Sequence, residues 1–508
     1  MIAAASGVTE GTVISSGGVE IVTSGGVASG TIVKSGGFLV VAPGGKVSGT
    51  INSGGEVVST GVAVFQTSSG VAVYANTAGP VQLNFGDTEY VLSGGTASGT
   101  KLHGNYYGFA DELVYSGGTA LDTTAGYSGV LDVYAGGTAQ GTTIRSGGYV
   151  YVSGGTALGT DISGTLFVLG GVASGTVLEA GSRDFVESGG VASGTLVHSG
   201  SVQLVVSGGN VFGAQVYGGQ FVDSGCAASG TVIEKTGFEF VSAHASDTGA
   251  SVNGQMTVEG GGVVVSATVH SAGLIMLAPR AVASATLVGI SGLVDVGALA
   301  ITSGSILRGG TEVVSSGGVA LNTVISAGGV LDLLSGGAAS GTVDFVGSGG
   351  LVVLSGGTLK PAVISGFAAG DEVEFSALTY SAGDSATVKS AGIVTVSAGG
   401  TAYNIHIAGA VVGSTAFEVT SASSTDHALV LIENLTSASM AFVAPPAVAA
   451  LPAADFAAAG PAHAGLVPAG VAGPVFAVHS AAMPAGALRA QLHHGWIAPA
   501  AALLKWPG

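Results

Sequence analysis

The sequence predicts an all-β chain: an elongated parallel β-helix (a β-solenoid), a small C-terminal antiparallel β cap and a disordered tail. Three observations predict it. The block SGGVASGT stands at 24–31 and again at 188–195, and close variants of it recur at spacings near 19 residues. Apolar runs of three to five residues lie between the blocks, each bounded by paired glycines. The repeat stops near residue 366, and the composition changes again after 440. The chain accordingly divides into a solenoid (1–365), a cap module (366–440) and an Ala/Pro-rich tail (441–508).

The repeat is the strongest of these signals. SGGTASGT occupies 93–100, SGGTALGT 153–160 and SGGAASGT 335–342, with looser copies such as PGGKVSGT (43–50) and LGGVASGT (169–176). Starts at 24 and 43, 116 and 135, 169 and 188, and 316 and 335 are each 19 apart. A fixed period near 20 residues marks a stack of supersecondary units. Runs such as Phe38-Leu39-Val40-Val41, next to Gly36-Gly37, are too short and too glycine-bound for helices. They read as strands, with glycine turning the corners.

Side-chain direction follows from alternation along a strand. The residue after each repeat threonine varies freely (Lys101, Thr143, Asp161, Leu196), whereas the next is apolar (Ile14, Val33, Leu102, Ile144, Ile162, Val197, Ile233, Ile325). The second of these therefore points inward, and so does the threonine two places before it. Thr12, Thr31, Thr50, Thr100, Thr142, Thr160, Thr176, Thr195 and Thr231 are expected to stack as a ladder near a corner. A small residue three places earlier (Ala28, Ala97, Ala120, Ala192) fits a tight corner. About 18 or 19 coils at roughly 4.8 Å each would make a rod on the order of 90 Å long. Longer loops are expected where the period breaks, at 61–92, 101–115 and 235–275.

From 366 onward the pattern changes to longer alternating stretches, GFAAGDEVEFSALTY (366–380), TVKSAGIVTVSAGGTAYNIHIAG (387–409) and HALVLIENL (427–435), which read as an antiparallel cap. The tail holds nine of the thirteen prolines, both tryptophans (Trp496, Trp506) and three charges, Asp455, Arg489 and Lys505. Regular prolines break any element longer than a few residues, so the tail is read as disordered.

Composition excludes several functions. Charged residues make up 8% of the chain, against about 25% in ordinary soluble domains. The net charge of −18 argues against nucleic-acid binding, which needs a basic face. One cysteine, Cys226, rules out an intramolecular disulfide and a thiolate metal site. No cleavable signal peptide and no transmembrane segment are expected from the apolar runs present.

Catalytic and binding motifs are sparse. No Gly-Gly pair continues into a P-loop lysine and helix, and GGVLD (328–332) is not repeated in the register a calcium β-roll needs. Neither cofactor nor metal is expected. Polysaccharide-cleaving β-helices need carboxylates gathered along one groove. The best candidates for that alternative are Asp111 and Glu112 with Asp122 and Asp132, or Asp371, Glu372 and Glu374. Adjacent strand residues point to opposite faces, which separates Asp111 from Glu112. His493 and His494 lack further ligands in the tail, and Cys226 stands where other copies have a turn glycine. Tyr106, Tyr107 and Phe109 in the segment 101–115 are the candidate ligand-contact loop, either as a sugar-stacking platform or as aromatics filling an enlarged loop.

In the stretches SGGVASGT (24–31, 188–195) and TVISSGGVEIVTSGG (12–26), the repeats resemble the AIDA-type repeat of bacterial autotransporter passengers. The resemblance spans 6–365. It implies a non-enzymatic, glycine-rich adhesin or aggregation protein, secreted or held at the bacterial surface beside the outer membrane. Partners would be host or bacterial surface glycans and proteins, and further copies of itself. Some members carry O-linked heptose on repeat Ser/Thr, which adds an O-glycosyltransferase to the implied partners and places the modification on corner hydroxyls. One departure stands out: a translocating barrel needs about 12 strands, and the proline-broken tail cannot supply them. The chain is therefore read as a passenger lacking that barrel. A carbohydrate-active enzyme and a structural surface-matrix protein are the alternatives.

Overall fold

The computed structural model describes residues 2–3, 7–187, 189–359, 361–413, 417–422 and 428–433. Among them every regular element is a strand. Each coil carries one long strand and two short ones, as in Gly129–Tyr134, Thr138–Gln140 and Thr143–Ile144. Each strand pairs in parallel with its counterpart one coil on. Sixteen long strands, from Thr88–Val91 to Glu372–Thr379, form one continuous parallel ladder among the described residues, and the short strands form a second. The molecule is a parallel β-solenoid.

Inside the coil the columns are almost uniform. The apolar residues two places after the repeat threonines are buried from Ile14 to Ile325, and so are Ala28, Ala97, Ala120 and Ala192. Thr31, Thr100, Thr142, Thr160, Thr176, Thr195 and Thr231 are buried at the same corner, joined by Thr123, Thr286 and Thr323. Thr12 and Thr50, in the outer coils of the N-terminal stack, are half-buried. The backbone at this corner is tied coil to coil: the carbonyl of Thr100 accepts from the Thr124 amide, that of Thr123 from Thr143, and that of Thr142 from Asp161. Outward positions such as Lys101 and Asp161 are exposed.

The paired glycines have two separate causes. Gly136 sits at φ +77°, a left-handed corner that disfavours any side chain. A Cβ on Gly137 would lie 2.5 Å from the Val114 carbonyl oxygen of the preceding coil. The first glycine turns the chain, and the second lets one coil sit at hydrogen-bonding distance on the last.

The solenoid is not one uninterrupted rod. The first coils, through Glu56–Val58, form their own parallel stack. The chain then makes an antiparallel hairpin, Val62–Gln66 with Gly70–Tyr74, and Val62–Gln66 also pairs antiparallel with Thr88–Val91. Val62 and Val64 thereby close the core of the main stack, while Ala63 and Phe65 face the other way. Residues Ile21, Val40 and Val58 on the outer face of the N-terminal stack join Phe65, Tyr90, Leu92 and Tyr115 in one apolar cluster. The opposite end is closed by the same device. Glu372–Thr379, six residues beyond the expected boundary, is the last parallel rung and receives Ala428–Glu433 antiparallel on its free edge. A further antiparallel sheet comprises Ser385–Ser390, Ile393–Ala398 and Thr401–His406. Antiparallel closure blocks the edges that a parallel stack would expose. The tail 441–508 lies outside the described residues.

The period break expected at 235–275 is not a loop. Phe238–Val241, Gln255–Val258 and Leu274–Leu277 stack in unbroken register. The repeat is disguised there because corner glycines are replaced, by His244, Ser266 and Ala272, as they are in the coils that follow, by Arg280, Ala285, Ser291 and Leu299; all seven adopt φ between +52° and +72°. Each such residue costs about 1 kcal/mol relative to glycine.

Two substitutions separate these effects. Leu299→Gly is expected to raise unfolding stability by about 1 kcal/mol, since the side chain is exposed and its backbone is strained. Gly137→Ala is expected to lower it by roughly 2–3 kcal/mol, because its clash is with backbone that cannot rotate away. Chemical denaturation of the two variants checks both signs.

Candidate functional site

Chemistry in a solenoid is restricted to outward columns and to places where the coil is interrupted. The interruption after Lys101–His103 is a tight hairpin. Asn105 and Gly108 exchange backbone hydrogen bonds at 2.9 and 3.3 Å, and the Asn105 side chain accepts from the Tyr107 amide at 2.8 Å. Tyr106 and Tyr107 form the two-residue tip and are 85% and 84% exposed, with their rings edge-to-face at 5.6 Å. Phe109 is exposed at the hairpin base. The expected contact loop is thus a rigid turn holding two tyrosines in solvent. The Phe85 ring lies over Gly108, where a Cβ would meet it at 2.5 Å.

Beside this hairpin runs an open groove of about 440 Å³. Its wall is built across four coils: Gln82 from the first, Lys101 and His103 from the second, Thr124 and Tyr127 from the third, Arg145 and Ser146 from the fourth. Gly126 and Gly147 leave room for the flanking rings. A Cβ at Gly126 would stand 3.3 Å from Nδ1 of His103, and one at Gly147 2.7 Å from Cδ2 of Tyr127. No carboxylate lines the groove. The sequence analysis missed it because Lys101 and Arg145 are 44 residues apart; only coil register brings them together.

Of the carboxylates considered for catalysis, Asp111 and Asp132 share the outward face of neighbouring rungs beside Tyr134, close enough to feel each other's charge, and the rest are dispersed. Asp111 points outward and Glu112 inward, where it is fully buried. Asp132 is half-buried beside the Tyr134 hydroxyl, 3.4 Å away, and burial pushes its carboxyl up to about 6. Asp122 turns a corner at φ +55°. Asp371 caps a turn, accepting from the Gly350 and Ala368 amides at 3.0 Å each, with Glu372 exposed and Glu374 half-buried next to it. Cys226 is buried as a free thiol. His493 and His494 lie outside the described residues. Among the described residues no group of three metal-ligating side chains converges, and no helix is long and apolar enough to cross a membrane.

A second set of acids lies inside the coil. Glu89, Glu112, Asp184, Glu239 and Glu312 occupy one inward column of the long strands in the main stack, Glu20 the matching inward position in the N-terminal stack, and Asp247 replaces a core alanine. Several find a core threonine: Thr31 donates to Glu20 at 2.9 Å, Thr100 to Glu89 at 2.8 Å, Thr123 to Glu112 at 2.7 Å, and Thr302 to Glu312. Burial pushes Glu89, Asp184 and Glu312 up to about 7. Glu112 is raised well above the carboxyl range by burial and then by the neighbouring Glu89. Glu239 is raised by burial and by Asp247.

On the outer face of the long-strand sheet, Tyr151, Phe167 and Phe185 stack face to face at 4.9 and 5.0 Å, and Phe221 on Phe240 at 5.3 Å. Their faces cover one another, so the ladder offers ring edges and not sugar-stacking platforms.

No family model and no curated protein matches the chain. Among solved structures it is similar to one described as a TibC-catalysed hyper-glycosylated TibA fragment. The identity is 31%, the match covers 58% of this chain and 97% of that one, and the TM-score is 0.40.

The buried acids make stability depend on pH with a definite sign. Unfolded carboxyls titrate near 4, whereas Glu89, Asp184 and Glu312 hold their protons to about 7 in the folded coil. Their contribution is complete below about pH 4 and is lost as pH rises through 7. The unfolding temperature is therefore expected to fall between about pH 5 and 8. Glu112→Gln should flatten that slope and exceed the parent at about pH 8. A parent with rising stability over this range would refute the assignment.

Proposed function

We propose that the chain is a bacterial surface or secreted adhesin and aggregation protein that works through its rod without enzymatic chemistry. One observation carries this: the outside is a long, repetitive, sparsely charged surface presenting an exposed tyrosine hairpin, and the open groove beside that hairpin holds no acid, while Glu89, Glu112, Asp184, Glu239 and Glu312 are sealed in the core. Such a surface suits many weak contacts summed by avidity. A glycan-cleaving site would need two carboxylates about 5–10 Å apart in a groove, and the groove beside the hairpin is lined by none. The repeat resemblance supports the same setting.

The test is display on the native host. The full chain is expected to be cut by protease added to intact cells, or recovered from the medium, and to increase cell clumping or attachment. A chain ending at Ala441, run alongside, assigns the tail: retention inside makes 442–508 the export signal, and export makes it dispensable. Confinement of the full chain to the cytoplasm would overturn the proposal.

Any sugar added to the repeats follows from exposure. The ladder threonines Thr100, Thr142 and Thr160 are buried, whereas the corner serines Ser24, Ser93 and Ser116 are exposed. Mass spectrometry of protein from the native host is expected to find modification on such serines and none on the ladder threonines.

A further inference from the structure

We propose that the groove between Lys101 and Arg145 binds a short acidic saccharide, one bearing a carboxylate or a sulfate. The assignment deepens the adhesin proposal and takes its biological setting from it.

Charge distribution is the first support. The chain has 12 Lys and Arg against 30 Asp and Glu. Between residues 47 and 182 there are only two cations of that kind, Lys101 and Arg145, and both line this groove. Both are exposed, and neither side chain has an ion-pair or hydrogen-bond partner among the described residues. Their convergence is a product of coil register. Lys101 pairs with Thr124 and Thr124 with Thr143, which places Arg145 two coils along and one outward position over. Two unpartnered cations on one wall without a carboxylate make a local anion site in an acidic molecule.

The other lining groups select the kind of anion. Tyr127, seated over Gly147, gives the groove an aromatic wall, and Thr124, Ser146 and Gln82 supply hydroxyls and an amide. An apolar sugar face suits the ring, sugar hydroxyls suit the polar groups, and the acidic substituent suits Lys101 and Arg145. The volume is that of a small-ligand cleft. A long polyanion would meet the net charge of −18, so the fit is to one or two acidic units, within about one Debye length of the cations.

Calorimetric titration of the full-length protein with di-galacturonate (carboxylates only), a sulfated neutral disaccharide (sulfate only) and neutral maltotriose tests this. Binding of at least one acidic probe, with none of maltotriose, is expected, and the two acidic arms distinguish carboxylate from sulfate. The double variant Lys101→Gln/Arg145→Gln should weaken binding about ten-fold or more, and Tyr127→Ala should weaken it too. Arg183→Gln, an exposed cation outside the groove, should leave it unchanged. All of these positions are exposed, so circular dichroism should show an unaltered fold. Failure of both acidic probes, equal binding of maltotriose, or an equal loss in Arg183→Gln would overturn the assignment. Cell attachment that survives in the double variant would leave the adhesin proposal standing while this site falls.

Discussion

One constraint governs this molecule: each coil must hydrogen-bond along its length to the coils before and after it, at strand spacing. The Val114 carbonyl beneath Gly137 shows how little room this leaves. Because every coil obeys the same spacing, each inward position becomes a column, and a residue is judged by its neighbours one coil away. Alanine persists in the tight column from Ala97 to Ala192, and threonine persists at the adjoining corner. Outward positions escape the constraint, which is why Lys101, Thr143 and Asp161 share an equivalent place.

The same constraint gives the buried polar column a structural meaning. A stack of near-identical coils is prone to slip by a whole repeat, since apolar columns look alike after the shift. Asp184, Gln203, Gln220 and Glu239 occupy four successive coils. Gln203 donates to Asp184 at 2.9 Å, and Gln220 donates to Gln203 at 2.8 Å. In register this chain ends against Leu166 on one side and Met256 on the other, and skipping a coil would break the Gln203 contacts that tie each rung to the next. The column thus costs burial energy and fixes which coil lies on which, a known use of buried polar groups.

Periodicity made the solenoid, its inward columns and its closed C-terminal end legible in the sequence. A pattern in the acids was equally legible and was overlooked: Glu20, Glu89, Glu112 and Glu312 each stand eleven residues before a core threonine. The separate N-terminal stack was not legible. Val62–Gln66 alternates like any other strand, and only its antiparallel pairing reveals the change of direction. Nor was the regularity of 238–277 legible, because glycine was used as the marker of a corner while His244 and Ala272 take the same backbone shape. The groove was hidden for a third reason: it belongs to register, not to any contiguous segment.

Where a repeat protein can carry specificity follows from these facts. Identical coils present identical surfaces, so a perfect repeat can offer avidity but no distinctive pocket. Distinctive chemistry requires a departure from the repeat that the stacking still tolerates. The segment between Lys101 and Arg145 makes two such departures together: a hairpin inserted between rungs, and cations on outward columns that are otherwise almost free of them. Neither disturbs an inward column, since Leu102, Ala125 and Ile144 remain buried beneath them. The surface can therefore vary at this point without altering the stacking that holds the coils together.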